Sequence, residues 1–157
     1  MRPLGAHAYS QRLATIIARL DGLGVLEVVD RGAQGAVRRL TIDLLAPGQR
    51  DMPELPDEAR FHYEEWFSRV SGASWIRIRY QYNYFDIARG GWRGYHLHPL
   101  ETGGDPIPHA KCVLADGSGR DHHFAAYEVD LLAAHDEFEL LYASARAIDC
   151  QGLRAIG

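Results

Sequence analysis

Five histidines, His96, His98, His109, His122 and His123, crowd the stretch from Tyr95 to His123 of a chain that holds eight in all. Near neutral pH an imidazole can exchange a proton and can also ligate a metal, so such clustering supports two chemistries. The first is metal binding. His96 and His98 stand two apart on a stretch that reads as a strand, so both rings project to one side. With His109 and Cys112 they make a ligand set for zinc or another divalent transition metal, and Glu101 stands in reserve.

The second chemistry needs no cofactor. In metal-independent phosphodiester cleavage one imidazole removes the 2′-hydroxyl proton, another protonates the leaving oxygen, and arginine stabilises the phosphorane. His96, His98 and His109 are the acid–base candidates, with Arg79 and Arg93 on the phosphate. Arg77, Arg120, His122 and His123 extend the substrate contacts, and Tyr80, Tyr82, Trp92 and Tyr95 offer faces for splayed bases. The competing explanation for the tyrosines is that they are the core-facing side of a central strand, since aromatic residues favour strands for packing reasons alone. His7, His62 and His135 read as isolated surface or half-buried imidazoles, and Cys112 and Cys150 as small buried hydrophobes.

Something must hold these side chains together. Leu13, Ile16, Ile17 and Leu20 fall on one helical face, with Ser10 as N-cap and Gly22 as stop. Val25 to Val29 and Val37 to Leu45 read as strands joined by a glycine-containing turn from Asp30 to Gly35. Phe61, Trp66, Phe67 and Val70 predict a middle helix capped by Asp57 and ended by Ser71-Gly72. From Trp75 to Phe85, Ile76, Ile78, Tyr80, Tyr82 and Tyr84 alternate with Arg77, Arg79, Gln81 and Asn83, a strand pattern. After a turn from Asp86 to Gly91 come a return strand, Trp92 to His98, a polar loop, and a short strand at His109 to Val113. A turn from Asp116 to Gly119 leads to a further stretch from Arg120 to Phe124. A final helix carries Leu131, Ala134 or His135, Phe138, Leu141 and Ala145, capped by Asp130. The predicted fold is therefore a single α+β domain over residues 1–157, a mainly antiparallel sheet of five to six strands packed against N-terminal, middle and C-terminal helices.

Composition bounds what such a domain does. Hydrophobic residues at 46% and charged residues at 24% over 157 positions match an ordinary folded domain. A net charge of -4 argues against general basic nucleic-acid binding, leaving only a local basic patch. Lys111 is the single lysine, so arginine carries nearly all the positive charge. Two cysteines in unlike contexts do not indicate a disulfide framework. The chain shows no signal peptide and no bilayer-spanning run, which leads to an expectation of a cytoplasmic protein without membrane contact. No Walker loop, dinucleotide fingerprint, nucleophile elbow or paired-CxxC zinc module is present.

From Trp75 onward, Arg79-Tyr80-Gln-Tyr82, then Tyr95-His96-Leu-His98, the second cluster around His109 or His122, and Leu131 with Phe138 follow one another in an order that resembles the TumE-type toxins of bacterial toxin–antitoxin modules. The resemblance covers the C-terminal half. This chain adds an N-terminal helix and hairpin and lacks the Asp-Asn element that follows the second strand in that family. The resemblance implies a toxin acting on RNA and neutralised by an antitoxin partner. The alternatives are a metal-binding protein or metal-dependent hydrolase, and a non-enzymatic interaction module of a phage-related or defence system.

Overall fold

Alternating apolar and polar side chains make one face of a strand dry and the other wet, and that period of two organises most of this chain. The computed structural model describes residues 3–31, 36–47, 50, 59–72, 74–99, 105–123, 129–144 and 148. Seven strands, β1 (Gly24–Arg31), β2 (Val37–Leu45), β3 (Ala59–Ser71), β4 (Ser74–Asp86), β5 (Gly91–His98), β6 (Ile107–Val113) and β7 (Gly119–His123), form one antiparallel sheet in chain order. Helices α1 (Ala6–Leu20) and α2 (Leu131–Ala143) share a single core with one face of it. Ile16 and Leu20 of α1 and Leu131, Ala134 and Phe138 of α2 pack there on Leu40, Ile42, Phe61, Tyr63, Tyr82, Tyr84, Tyr95 and Leu97. No helix among the described residues is long and apolar enough to cross a membrane.

The expected antiparallel sheet and the N- and C-terminal helices are present, but the middle helix is not. Its residues form β3, which brings the strand total to seven. Ala59, Phe61, Tyr63, Glu65 and Phe67 bury at period two, while Arg60, His62, Glu64 and Trp66 take the other face. The charge of Glu65 interrupts the apolar alternation, which disguises the strand as a helical stripe. Asp57, its expected cap, lies outside the described residues. Helix α1 also begins earlier than Ser10 suggests, with Gly5 as N-cap. Tyr9 is the reason: it is buried against Phe67 (4.8 Å between ring centres, edge-on) and Trp75 (5.3 Å, stacked), so the first turn has packing to stabilise it. At the other end Asp130 caps α2 as expected, its side chain accepting from the Leu132 N–H.

β4 departs from strict alternation. The β3–β4 register steps from Trp66 opposite Arg79 to Phe67 opposite Arg77, so Ile78 is the extra residue of a bulge. The parity flips there. Arg77, expected beside Arg79, Gln81 and Asn83, instead turns to the helix side with the tyrosines.

That turn completes a buried clamp. The Glu65 carboxylate, with no solvent exposure, accepts from Arg12 (2.5 Å), from Arg77 (2.8 Å) and from the Tyr82 hydroxyl. Arg12 also reaches Asp130 at 2.6 Å, and Arg77 donates to the Val129 carbonyl at 3.2 Å. Burial alone would raise the Glu65 pKa, but the two guanidinium charges overturn it and hold the carboxyl below its usual range. One side chain thus joins α1, β3, β4 and the start of α2. His135, expected to be a surface or half-buried imidazole, is fully buried, and its Nδ1 is 3.0 Å from the Tyr63 hydroxyl.

Glu65→Ala is expected to cost ~3–5 kcal/mol in a urea titration, because it removes the carboxylate that faces the buried Arg77 guanidinium and takes from half-buried Arg12 its inward partner. The depressed Glu65 pKa makes its contribution complete above the unfolded value of about 4.3 and lost as pH falls through the folded one, so the variant should show a shallower acid limb. His135 works nearer neutrality. Burial lowers its pKa, so the unfolded chain binds the proton more readily and stability falls once pH drops below about 6.5. Melting curves from pH 7 to 5 should show that loss in the native protein and a flatter profile in His135→Gln.

Candidate metal centre

A tight turn sets the β4–β5 register on which the site depends, and a second closes the neighbouring β6–β7 hairpin. Between β4 and β5, Asp86 accepts from the Arg89 N–H and side chain, both at 2.8 Å, and Gly90 takes a positive φ of 76°. Between β6 and β7, Asp116 accepts from Ser118 and Gly117 takes a φ of 80°. The pleat of β5 then sorts its residues. Arg93, Tyr95 and Leu97 face the helices, whereas Trp92, Gly94, His96 and His98 face the other way. His109 of β6 pairs directly with His96.

His96, His98 and His109 therefore meet. One ring nitrogen from each lies within 4.8 Å of the others. Ring centres are 5.8 Å apart for His96 and His98, 5.4 Å for His96 and His109, and 4.7 Å for His98 and His109. His96 and His109 are buried, and His98 is half-buried. Each ring also meets an oxygen. His96 Nε2 is 2.7 Å from the Asn83 side-chain oxygen, His98 Nδ1 is 2.7 Å from the Pro99 carbonyl, and His109 Nδ1 is 3.0 Å from the Ile107 carbonyl. A carbonyl oxygen only accepts, so those nitrogens carry the protons. In the neutral rings the lone pairs then sit on Nδ1 of His96 and on Nε2 of His98 and His109. Imidazoles that ligate metals are held in this way. Zinc–nitrogen bonds of about 2.0–2.1 Å place tetrahedral ligands about 3.4 Å apart, so small side-chain rotations close the set.

The remaining site candidates divide between the two faces. Cys112 does not join the imidazoles: it is buried on the core side of β6 with Ala110, as a small hydrophobe would be, and is disulfide-bonded, which corrects its place in the ligand set and adds a disulfide that the sequence did not indicate. Tyr80, Tyr82 and Tyr95 are core residues, Tyr80 stacked on Tyr82 at 4.7 Å. Arg77 belongs to the Glu65 clamp. Arg93 is buried on the helix side, paired with Glu137 and with the Tyr95 hydroxyl. Burial outweighs Arg93 in setting Glu137, whose pKa is raised. On the imidazole face are Trp92, stacked on His96 at 6.1 Å, and Arg79, exposed and opposite Trp66. The ladder sets His123 opposite His109, His122 opposite Ala110 and Arg120 opposite Cys112. The side chains of Arg120, His122 and His123, and the residues Glu101 and Cys150, lie outside what is described.

Sequence reasoning missed Asn83 and Gly94, which act on His96 and have no motif of their own. It also missed a polar group on the same face. His62 Nδ1 is 2.6 Å from Asp43 Oδ1, and its Nε2 is 3.6 Å from Glu64. Partial burial opposes the charge on Glu64, but its bonds to Arg39 and to the Trp66 indole N–H keep its pKa below the usual range. Alternate positions of β2 and β3, once paired, are the signal that finds them.

No family model matches this chain, and neither a curated protein nor a solved structure does, so its chemistry is read from its own side chains.

Proposed function

We propose that this protein binds a divalent transition metal, zinc foremost, through His96, His98 and His109, and that it acts as a metal-dependent hydrolase. The observation that carries the reading is the meeting of three imidazoles, each of which also has a ring nitrogen within hydrogen-bond distance of an oxygen. Three neutral ligands leave the ion its full charge and a coordination position for water or substrate, and the chemistry such an ion supplies is the activation of water near neutral pH.

The metal-free alternative, cleavage of RNA as the toxin resemblance implies, uses the same three imidazoles. Arg79 is the arginine that favours it, being exposed on their face. Arg77 and Arg93 instead neutralise Glu65 and Glu137 on the opposite side. The metal reading is preferred because its ligand set is complete without them.

Protein purified without a histidine tag and exposed to zinc should retain about one equivalent by elemental analysis, and His98→Ala with His109→Ala should lose it with the circular dichroism spectrum unchanged. Absence of binding in the native chain sinks the proposal. Any hydrolysis of a generic phosphodiester such as bis(p-nitrophenyl) phosphate should disappear with a chelator and return with zinc. Hydrolysis that persists at full rate in chelator supports proton exchange by the imidazoles alone.

A further inference from the structure

We propose that Asn83 is the positioning residue of this centre, and that in the room left by Gly94 it fixes His96 as an Nδ1 ligand while His98 and His109 ligate through Nε2. The inference rests on the metal reading above. Asn83 is buried on β4 and pairs with Gly94 on β5, two residues before His96. Its side-chain oxygen, 2.7 Å from His96 Nε2, puts the proton on that nitrogen and the lone pair on Nδ1.

Gly94 is needed for this contact. A Cβ there would stand 2.2 Å from the Asn83 side-chain oxygen and 2.9 Å from His96 Nε2. Any side chain at this position displaces the amide or the imidazole. The glycine therefore serves close approach rather than backbone freedom, and its φ is not among the positive ones.

The three rings are held by unlike means. His98 and His109 donate to backbone carbonyls of Pro99 and Ile107, which no substitution removes. Among the described contacts, His96 takes its orientation from a replaceable side chain. Asn83 touches neither metal nor substrate in this arrangement; it acts through His96, and its effect should appear in ligand orientation before it appears in fold.

Long-range 15N–1H spectra of the metal-free protein near neutral pH read the tautomers directly. The native chain should show His96 protonated at Nε2 and His98 and His109 at Nδ1. Asn83→Leu should release the His96 preference alone and weaken zinc about 10–100-fold, the usual effect of losing such a partner. Asn83→Asp, which still accepts, should restore both tautomer and affinity, and a purely structural role for the amide would not produce that rescue. A native His96 protonated at Nδ1, or an Asn83→Leu protein with unchanged tautomer and affinity, overturns the assignment. If the tautomers are as expected and zinc does not bind, the hydrolase reading fails while the orientation of His96 by Asn83 stands. Should Asn83→Leu not fold, the native spectrum and Asn83→Asp still decide.

Discussion

A carboxylate with no access to water determines which side of this sheet is covered. Glu65 sits where an apolar residue would ordinarily complete β3, and its charge is tolerable only because Arg12 of α1 and Arg77 of β4 meet it. Arg12 then reaches the cap of α2 through Asp130, so both helices are drawn to the same side. The ion pairs add little net stability over a well-packed apolar core, and what they supply is geometry. With both helices held on one side, the imidazoles are left on the other.

The pleat does the rest of the sorting. Tyr95 and His96 are neighbours in sequence, yet one packs on Phe138 at 5.9 Å and the other meets Asn83. The bulge at Ile78 separates the arginines of β4 in the same way, sending Arg77 inward while Arg79 stays out. Residues that look like one cluster in the linear sequence therefore belong to two sites, a neutralised core network and an imidazole face.

This explains how far the sequence was legible. The strands from Val37, Trp75 and Trp92 could be read because their alternation is nearly unbroken, and the His-x-His pair declared its shared face. β3 could not, because a buried glutamate violates the pattern that identifies strands and is explained only by Arg12, distant in sequence. The third imidazole was among the expected ligands, but its seat opposite His96 depends on β5–β6 register, which local pattern does not specify. Cys112 was misassigned for the complementary reason: three residues from His109 on a strand means the opposite face. Asn83 and Gly94 are ordinary residues whose importance exists only once β4 and β5 pair.

Because the sheet runs in chain order, Asn83, Gly94, His96, His98 and His109 all lie on three successive strands. The entropy lost in gathering them is that of two local hairpin closures, small beside what a site drawn from distant segments would require. The centre is in this sense a contiguous cassette of the polypeptide. Its weakness has the same origin: slippage of β6 by a single position would present Pro108 or Ala110 to His96 and drive the third imidazole into the oily side of the sheet.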